Sequence, residues 1–181
     1  MSVEAKASRI KLLLFDVDGV LTDGGVTVHS DGSESKNFGI RDGIAMVWAQ
    51  RAGLSVGLLS ARTSATTPHR ASQLGIRIVQ QGVLNKVEGY ERIIASEGVI
   101  DAEVAYMGDD IVDLAVLARV GLSAAPADAV AEVRAQVDWT SRSNGGRGAV
   151  RELVELVLRV QDRWDAIVAA YAAEGVKGQR A

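Results

Sequence analysis

Short apolar runs recur along the chain, separated by longer amphipathic stretches. Ile10–Phe15, Leu54–Leu59, Ile76–Val79, Val104–Met107, Gly121–Ala124 and Val137–Thr140 have the length and apolar density of strands buried on both faces. Between them, apolar positions recur at helical spacing over about 42–52, 64–74, 85–97, 110–118 and 127–135. Strands alternating with helices of this length predict βαβ units with right-handed crossovers. The expected fold is therefore α/β, a Rossmann-like three-layer parallel sheet of about five to six strands. One insertion interrupts the alternation. Val26–His29 and Glu34–Phe38 flank Ser30-Asp31-Gly32-Ser33, which predicts a β-hairpin over about 25–38 projecting from the carboxyl end of the sheet. Its apolar Val26, Val28 and Phe38 point to burial at an interface. Val150, Leu153, Val154, Val157, Val160, Trp164, Ile167, Val168 and Tyr171 predict one C-terminal helix over about 148–172, with 174–181 a frayed tail. No linker or repeat divides the chain, so residues 1–181 are expected to form a single domain.

Composition narrows the chemistry. Among 181 residues the net charge is −3 and no basic stripe occurs, so nucleic acid is not an expected partner. There are no cysteines, which excludes disulfides, thiolate zinc sites and a cysteine nucleophile. The opening MSVEAKASRI carries no apolar core of a secretory signal, and no apolar run approaches membrane-spanning length. A cytoplasmic protein without a membrane partner is expected.

In open α/β sheets, ligands sit outside the carboxyl ends of the strands. Asp16-Val17-Asp18-Gly19 follows the first strand, Ser60-Ala61-Arg62 the second, and Gly108-Asp109-Asp110 with Asp113 the fourth, while Lys86 opens the helix after the third. Carboxylates this close repel one another unless a cation neutralises them, and an all-oxygen ligand set suits magnesium. Ser60 and Lys86 offer a hydrogen bond and a positive charge to a phosphate. A carboxylate nucleophile passing through an aspartyl-phosphate fits this inventory. The residues leave open which of Asp109 and Asp110 faces the metal, though Asp109 stands directly after the strand.

The set Asp16-x-Asp18-Gly19-Val20, Ser60-x-Arg62, Lys86 and Gly108-Asp109-Asp110-x-x-Asp113 resembles the four motifs of the haloacid dehalogenase superfamily. The resemblance implies that Asp16 attacks phosphorus and that Asp18 protonates the leaving oxygen, then activates water. It also implies that Asp16, the Asp18 carbonyl and Asp109 hold Mg2+, that Ser60 and Lys86 bind the phosphoryl group, and that Asp113 or Asp110 supports Lys86 or a metal-bound water. A narrower likeness spans about residues 10–165. The hairpin, Phe38-x-Ile40-Arg41-Asp42-Gly43 and Gly145-Gly146-Arg147-Gly148-Ala149-Val150-Arg151-Glu152 resemble the 3-deoxy-D-manno-octulosonate 8-phosphate (KDO 8-phosphate) phosphatase family, whose relatives include nonulosonate 9-phosphate phosphatases and inactive fusion modules. That likeness implies no cap domain, a phosphorylated sugar-acid substrate and a homotetramer whose subunits close the site. It assigns substrate contacts to Arg62, Arg70 and Arg147, the last from a neighbouring subunit. Three positions depart from the family pattern. Gly39 replaces the usual Asn or His, Val47 a common basic residue, and Ala61 the usual Gly.

Overall fold

A computed structural model describes residues 1–174, so the tail expected at 174–181 lies outside the described residues beyond Glu174. The chain opens on α1 (Val3–Ala7), which no periodic stretch announced; Ser2 Oγ accepts from the Ala5 N–H at 3.2 Å and starts it. Then come β1 (Leu12–Phe15), β2 (Thr27–Val28), β3 (Glu34–Ser35), α2 (Ile40–Arg51), β4 (Ser55–Leu59), α3 (Thr66–Gln73), β5 (Ile78–Gln80) and α4 (Lys86–Glu97). The second half holds β6 (Val104–Met107), α5 (Leu114–Leu117), β7 (Leu122–Ala125), α6 (Ala131–Arg134), β8 (Trp139–Thr140), α7 (Ala149–Val160) and α8 (Trp164–Glu174).

Six strands form one sheet in the order β5-β4-β1-β6-β7-β8, every neighbouring pair parallel. β1 lies near the middle, with Leu12 beside Ser55 on one flank and Val104 on the other. Successive side chains of β1 point to opposite faces. Leu13 and Phe15 enter a core closed by α2 and α7 through Ala45, Met46, Leu153 and Val157. Leu12 and Leu14 enter a second core closed by α4 and α5 through Tyr90, Ile93, Val116 and Leu117. Each such side chain contributes about 1.5–3 kcal/mol by leaving water. This is the expected three-layer sheet.

Two local expectations change. The C-terminal stretch is two helices, because Asp162 takes a left-handed conformation (φ 57°) between α7 and α8. The turn lets Trp164 stay buried and pack edge-on against Trp48, ring centres 5.5 Å apart. The apolar stripe therefore runs on across a break that periodicity alone does not register. In the hairpin, β2 and β3 pair over two residues each. Val28 is exposed, and Phe38 is partly buried against the protein's own core.

Asp42 ties the two ends of the chain together. It lies buried in the first turn of α2, yet it does not cap that helix. Its Oδ2 accepts from the Gly148 N–H at 3.0 Å and its Oδ1 from the Arg151 N–H at 2.9 Å, so it satisfies the N-terminus of α7. Burial pushes its carboxyl above the usual range, and these backbone N–H groups pull against that shift. Asp42→Ala should cost about 2–3 kcal/mol, because two N–H groups lose their acceptor. At this chain length the melting temperature should fall by about 5–10 °C. Thermal unfolding followed by circular dichroism reads this directly, and a fall below about 1 °C would remove the capping role.

Candidate active site

β1 delivers Asp16 to the carboxyl edge of the sheet, where its N–H bonds the Met107 carbonyl at the end of β6 (3.0 Å). The turn that follows comes so near the β6 loop that a Cβ on Gly19 would stand 2.0 Å from Asp109 Oδ2; Gly19 also has φ +84°, so only glycine fits. α4 opens with Lys86 after Asn85, whose side chain accepts from the Val87 N–H at 3.2 Å. The Lys86 ammonium is buried and reaches Asp16 Oδ2 at 2.8 Å, Asp113 Oδ1 at 2.6 Å and the Tyr106 hydroxyl at 3.3 Å. Tyr106 in turn donates to Asp113 Oδ1. Asp113 Oδ2 accepts from the N–H groups of Asp109 (3.0 Å) and Asp110 (3.3 Å), which fixes the Gly108-Asp109-Asp110 turn.

Negative charge is crowded here. Burial pushes Asp16 up to about 6, with Asp113 adding to the rise and Lys86 opposing it. Burial, reinforced by Asp16 and Asp113, pushes Asp109 up to about 8. Burial works to lower Lys86, but Asp16 and Asp113 outweigh it, and the ammonium is held above its usual range. Asp16, Asp109 and Asp113 each bring a carboxylate oxygen within 4.8 Å of the others, a donor set that suits a hard divalent cation. Asp113 is already committed to Lys86, Tyr106 and two N–H groups, so Asp16 and Asp109 are the carboxylates that fit magnesium.

Without metal, native Asp109 keeps its proton at pH values where the unfolded chain, at about 3.8, has released it. The native state then binds more protons than the unfolded one, so stability falls as pH rises between those values and levels off above about 8. We expect the metal-free protein to melt lower at pH 8 than at pH 5, and magnesium to raise the melting temperature more at pH 8. Equal magnesium shifts at both pH values would contradict this arrangement of charges.

The other expected site residues divide. Ser60 is buried at the end of β4, its N–H on the Gln80 carbonyl (2.8 Å) and its Oγ accepting from the Arg62 N–H (3.2 Å); α3 begins later, at Thr66, so Ser60 is not its cap. Asp18 faces Arg62 at 3.7 Å and Lys36 at 2.8 Å. Asp110 is exposed and accepts from the Ile111 N–H (2.7 Å), capping a single 3-10 turn; of Asp110 and Asp113, it is Asp113 that bonds the lysine. Arg70 does not join the cluster either. Its Nη1 bonds Gln73 (3.1 Å), while Nε and Nη2 are buried without a hydrogen-bond partner, and Nη2 lies against Gly43 in α2. Arg147 is 71 % exposed and pairs with Asp23 at 3.4 Å, beside a cleft of about 380 Å³ lined by Phe38, Gly39 and Arg41. Lys36 and Tyr106 are the cluster members that the sequence reading missed.

The haloacid dehalogenase-like hydrolase family model matches residues 57–153. The 3-deoxy-D-manno-octulosonate 8-phosphate phosphatase KdsC of Escherichia coli (strain B / BL21-DE3) is 39% identical over 163 residues, covering 90% of this chain and 87% of that protein. The chain belongs to the KDO 8-phosphate phosphatase family of haloacid dehalogenase-like hydrolases. The Moraxella catarrhalis KDO 8-phosphate phosphatase, solved in complex with magnesium ion, phosphate ion and a KDO molecule, superposes with TM-score 0.91 at 34% identity, covering 93% of this chain and 97% of that one. The Yersinia pestis KDO 8-phosphate phosphatase gives TM-score 0.89 at 37% identity, covering 90% and 88%. Within this family framework, two of the three departures have local reasons. A Cβ on Gly39 would lie 2.5 Å from Asp42 Oδ2 and 2.7 Å from the Gly146 carbonyl, so glycine lets the 145–148 loop sit down on the start of α2. Val47 packs against the core.

Proposed function

We propose that the chain is a magnesium-dependent phosphatase that hydrolyses KDO 8-phosphate to the sugar acid and phosphate. The observation that carries this reading is the buried Asp16, held by Lys86 at 2.8 Å beside Asp109 at the open end of the sheet. Family membership supplies the substrate class. An Asp16 oxygen attacks phosphorus in line, and the bond from phosphorus to the ester oxygen breaks. Asp18 gives that oxygen its proton. Asp18 then takes a proton from water, the water oxygen bonds to phosphorus, and the Asp16–phosphorus bond breaks to release phosphate. Lys86 and Ser60 hold the phosphoryl oxygens, and Asp113 and Tyr106 hold Lys86 in place. Magnesium, held by Asp16, Asp109 and the Asp18 carbonyl, supplies positive charge that neutralises the carboxylates and polarises the phosphoryl group.

Apolar side chains stand exposed on the hairpin, at the start of α2 and in the segments that follow β5 and β6: Val28, Ile40, Leu84, Ile111 and Val112. They support a homotetramer that covers the open site and brings Arg147 of one subunit to the substrate carboxylate of another. The single domain is taken to span 1–181, and the cysteine-free composition fits a cytoplasmic setting. Among the described residues no helix is long and apolar enough to cross a membrane.

Phosphate release across a panel tests the assignment: KDO 8-phosphate, a nonulosonate 9-phosphate, hexose phosphates and p-nitrophenyl phosphate, each with magnesium and with EDTA. The highest kcat/KM should fall on KDO 8-phosphate and vanish with EDTA. Preference for another ester would move the substrate while keeping the chemistry. Arg147→Ala should lower kcat/KM on KDO 8-phosphate by about tenfold more than on p-nitrophenyl phosphate; equal losses would remove its carboxylate role.

A further inference from the structure

The return strand of the hairpin brings a pair of charges that the reaction above does not use. Lys36 follows β3, and its side chain is 0 % exposed. Its Nζ donates to Asp18 Oδ2 at 3.0 Å, its only hydrogen bond among the described residues. Asp18 Oδ1 lies 2.8 Å away but is off the hydrogen-bond direction and has no hydrogen-bond partner. Glu34 Oε1 lies 3.9 Å from the same ammonium, beyond hydrogen-bond reach, and it too is buried without a well-aligned hydrogen bond, although the Ser64 hydroxyl stands close enough to the Glu34 carboxyl to hold it below its usual range. The other Glu34 oxygen is taken by Arg62 Nη2 at 3.0 Å. The ammonium has three N–H groups, so donors and acceptors are left over side by side. Buried polar groups left in that state are costly, and they mark places where a ligand group completes the set.

The chemistry of the missing partner follows from the two sides. A carboxylate or phosphate would satisfy Lys36 and be repelled by Glu34. A hydroxyl accepts from Lys36 and donates to Glu34 Oε1 at once. We infer that Glu34 and Lys36 form a subsite for a substrate hydroxyl on the leaving-group side of the reaction. This rests on the proposed role of Asp18. Because Lys36 is anchored to the group that protonates the ester oxygen, the hydroxyl it reads is the one on the carbon next to the ester-bearing carbon. The ligand class is thus a phosphate monoester of a vicinal diol. Arg62 and Asp18 hold Glu34 and Lys36 where the hairpin's own two-residue pairing is too short to do so.

The test compares sn-glycerol 3-phosphate with 3-hydroxypropyl phosphate, which lacks only that hydroxyl, with magnesium present. Wild-type turnover of p-nitrophenyl phosphate shows separately that the phosphatase reading stands. The wild type should prefer the hydroxylated ester about tenfold or more in kcat/KM. Glu34→Ala should bring that ratio within about twofold of unity. Glu34→Gln, which keeps a carbonyl acceptor, should retain most of it, whereas a purely electrostatic Glu34 would make both variants alike. Lys36→Met provides a second route to the same collapse if Glu34→Ala does not fold. A wild type active on p-nitrophenyl phosphate that does not discriminate the two esters, or a Glu34→Ala that keeps the wild-type ratio, overturns the inference; in the first case the pair holds water only.

Discussion

Asp16→Asn should reduce kcat by at least about 10⁴-fold on every phosphate ester while leaving the fold in place. The amide is nearly the size of the carboxylate, so the packing around it survives, but it is not a nucleophile toward phosphorus. The Asp16 charge also helps to raise the proton affinity of Asp109. Removing its charge therefore relieves repulsion at Asp109, and the metal-free variant should melt no lower than the wild type by more than a few degrees. Circular dichroism and phosphate release on one preparation check both halves. A variant with a native spectrum and near wild-type turnover would place the nucleophile elsewhere.

Lys86→Met should damage stability and activity together, and for one electrostatic reason. The ammonium is buried against Asp16 and Asp113, and Asp113 itself is fully enclosed. Removing one partner of a buried ion pair leaves uncompensated charge and costs about 3–5 kcal/mol. The melting temperature should fall by about 10 °C at neutral pH. Turnover should fall by at least about 10³-fold, since the cation that meets the phosphoryl oxygens is gone. Part of the lost stability should return on acidification, as the orphaned carboxylates take up protons. A variant that loses activity but melts like the wild type would show that the triad of Lys86, Asp113 and Tyr106 is not the support described above.

Much of this was legible in the chain because the physics involved is local. Leu12–Phe15 is apolar throughout and Val104–Met107 is apolar but for the Tyr106 hydroxyl, since both faces of the sheet are covered, and Asp16 and Asp109 stand out because they follow such runs. What escaped notice depends on contacts distant in sequence. Asp42 looks like a cap for its own helix, but its N–H partners, Gly148 and Arg151, lie more than a hundred residues away. The setting of Arg70 also depends on a distant contact, since its register in α3 sets Nη2 against Gly43 of α2. Tyr106 did carry a signal: a hydroxyl within an otherwise apolar buried strand must find a partner, and Asp113 is that partner. Lys36 carried a weaker one, alternating with Glu34 just past a strand whose pairing is only two residues long. The break at Asp162 left no trace in the apolar stripe, because α7 and α8 bury the same side of it.

The stereochemical course at phosphorus tests the double displacement most directly. A substrate with an isotopically chiral phosphoryl group would be hydrolysed in labelled water and the configuration of the released phosphate determined. Attack by Asp16 followed by attack of water is two in-line inversions, and the account predicts net retention. Net inversion would mean that water attacks phosphorus directly, and would contradict the role of Asp16 as nucleophile.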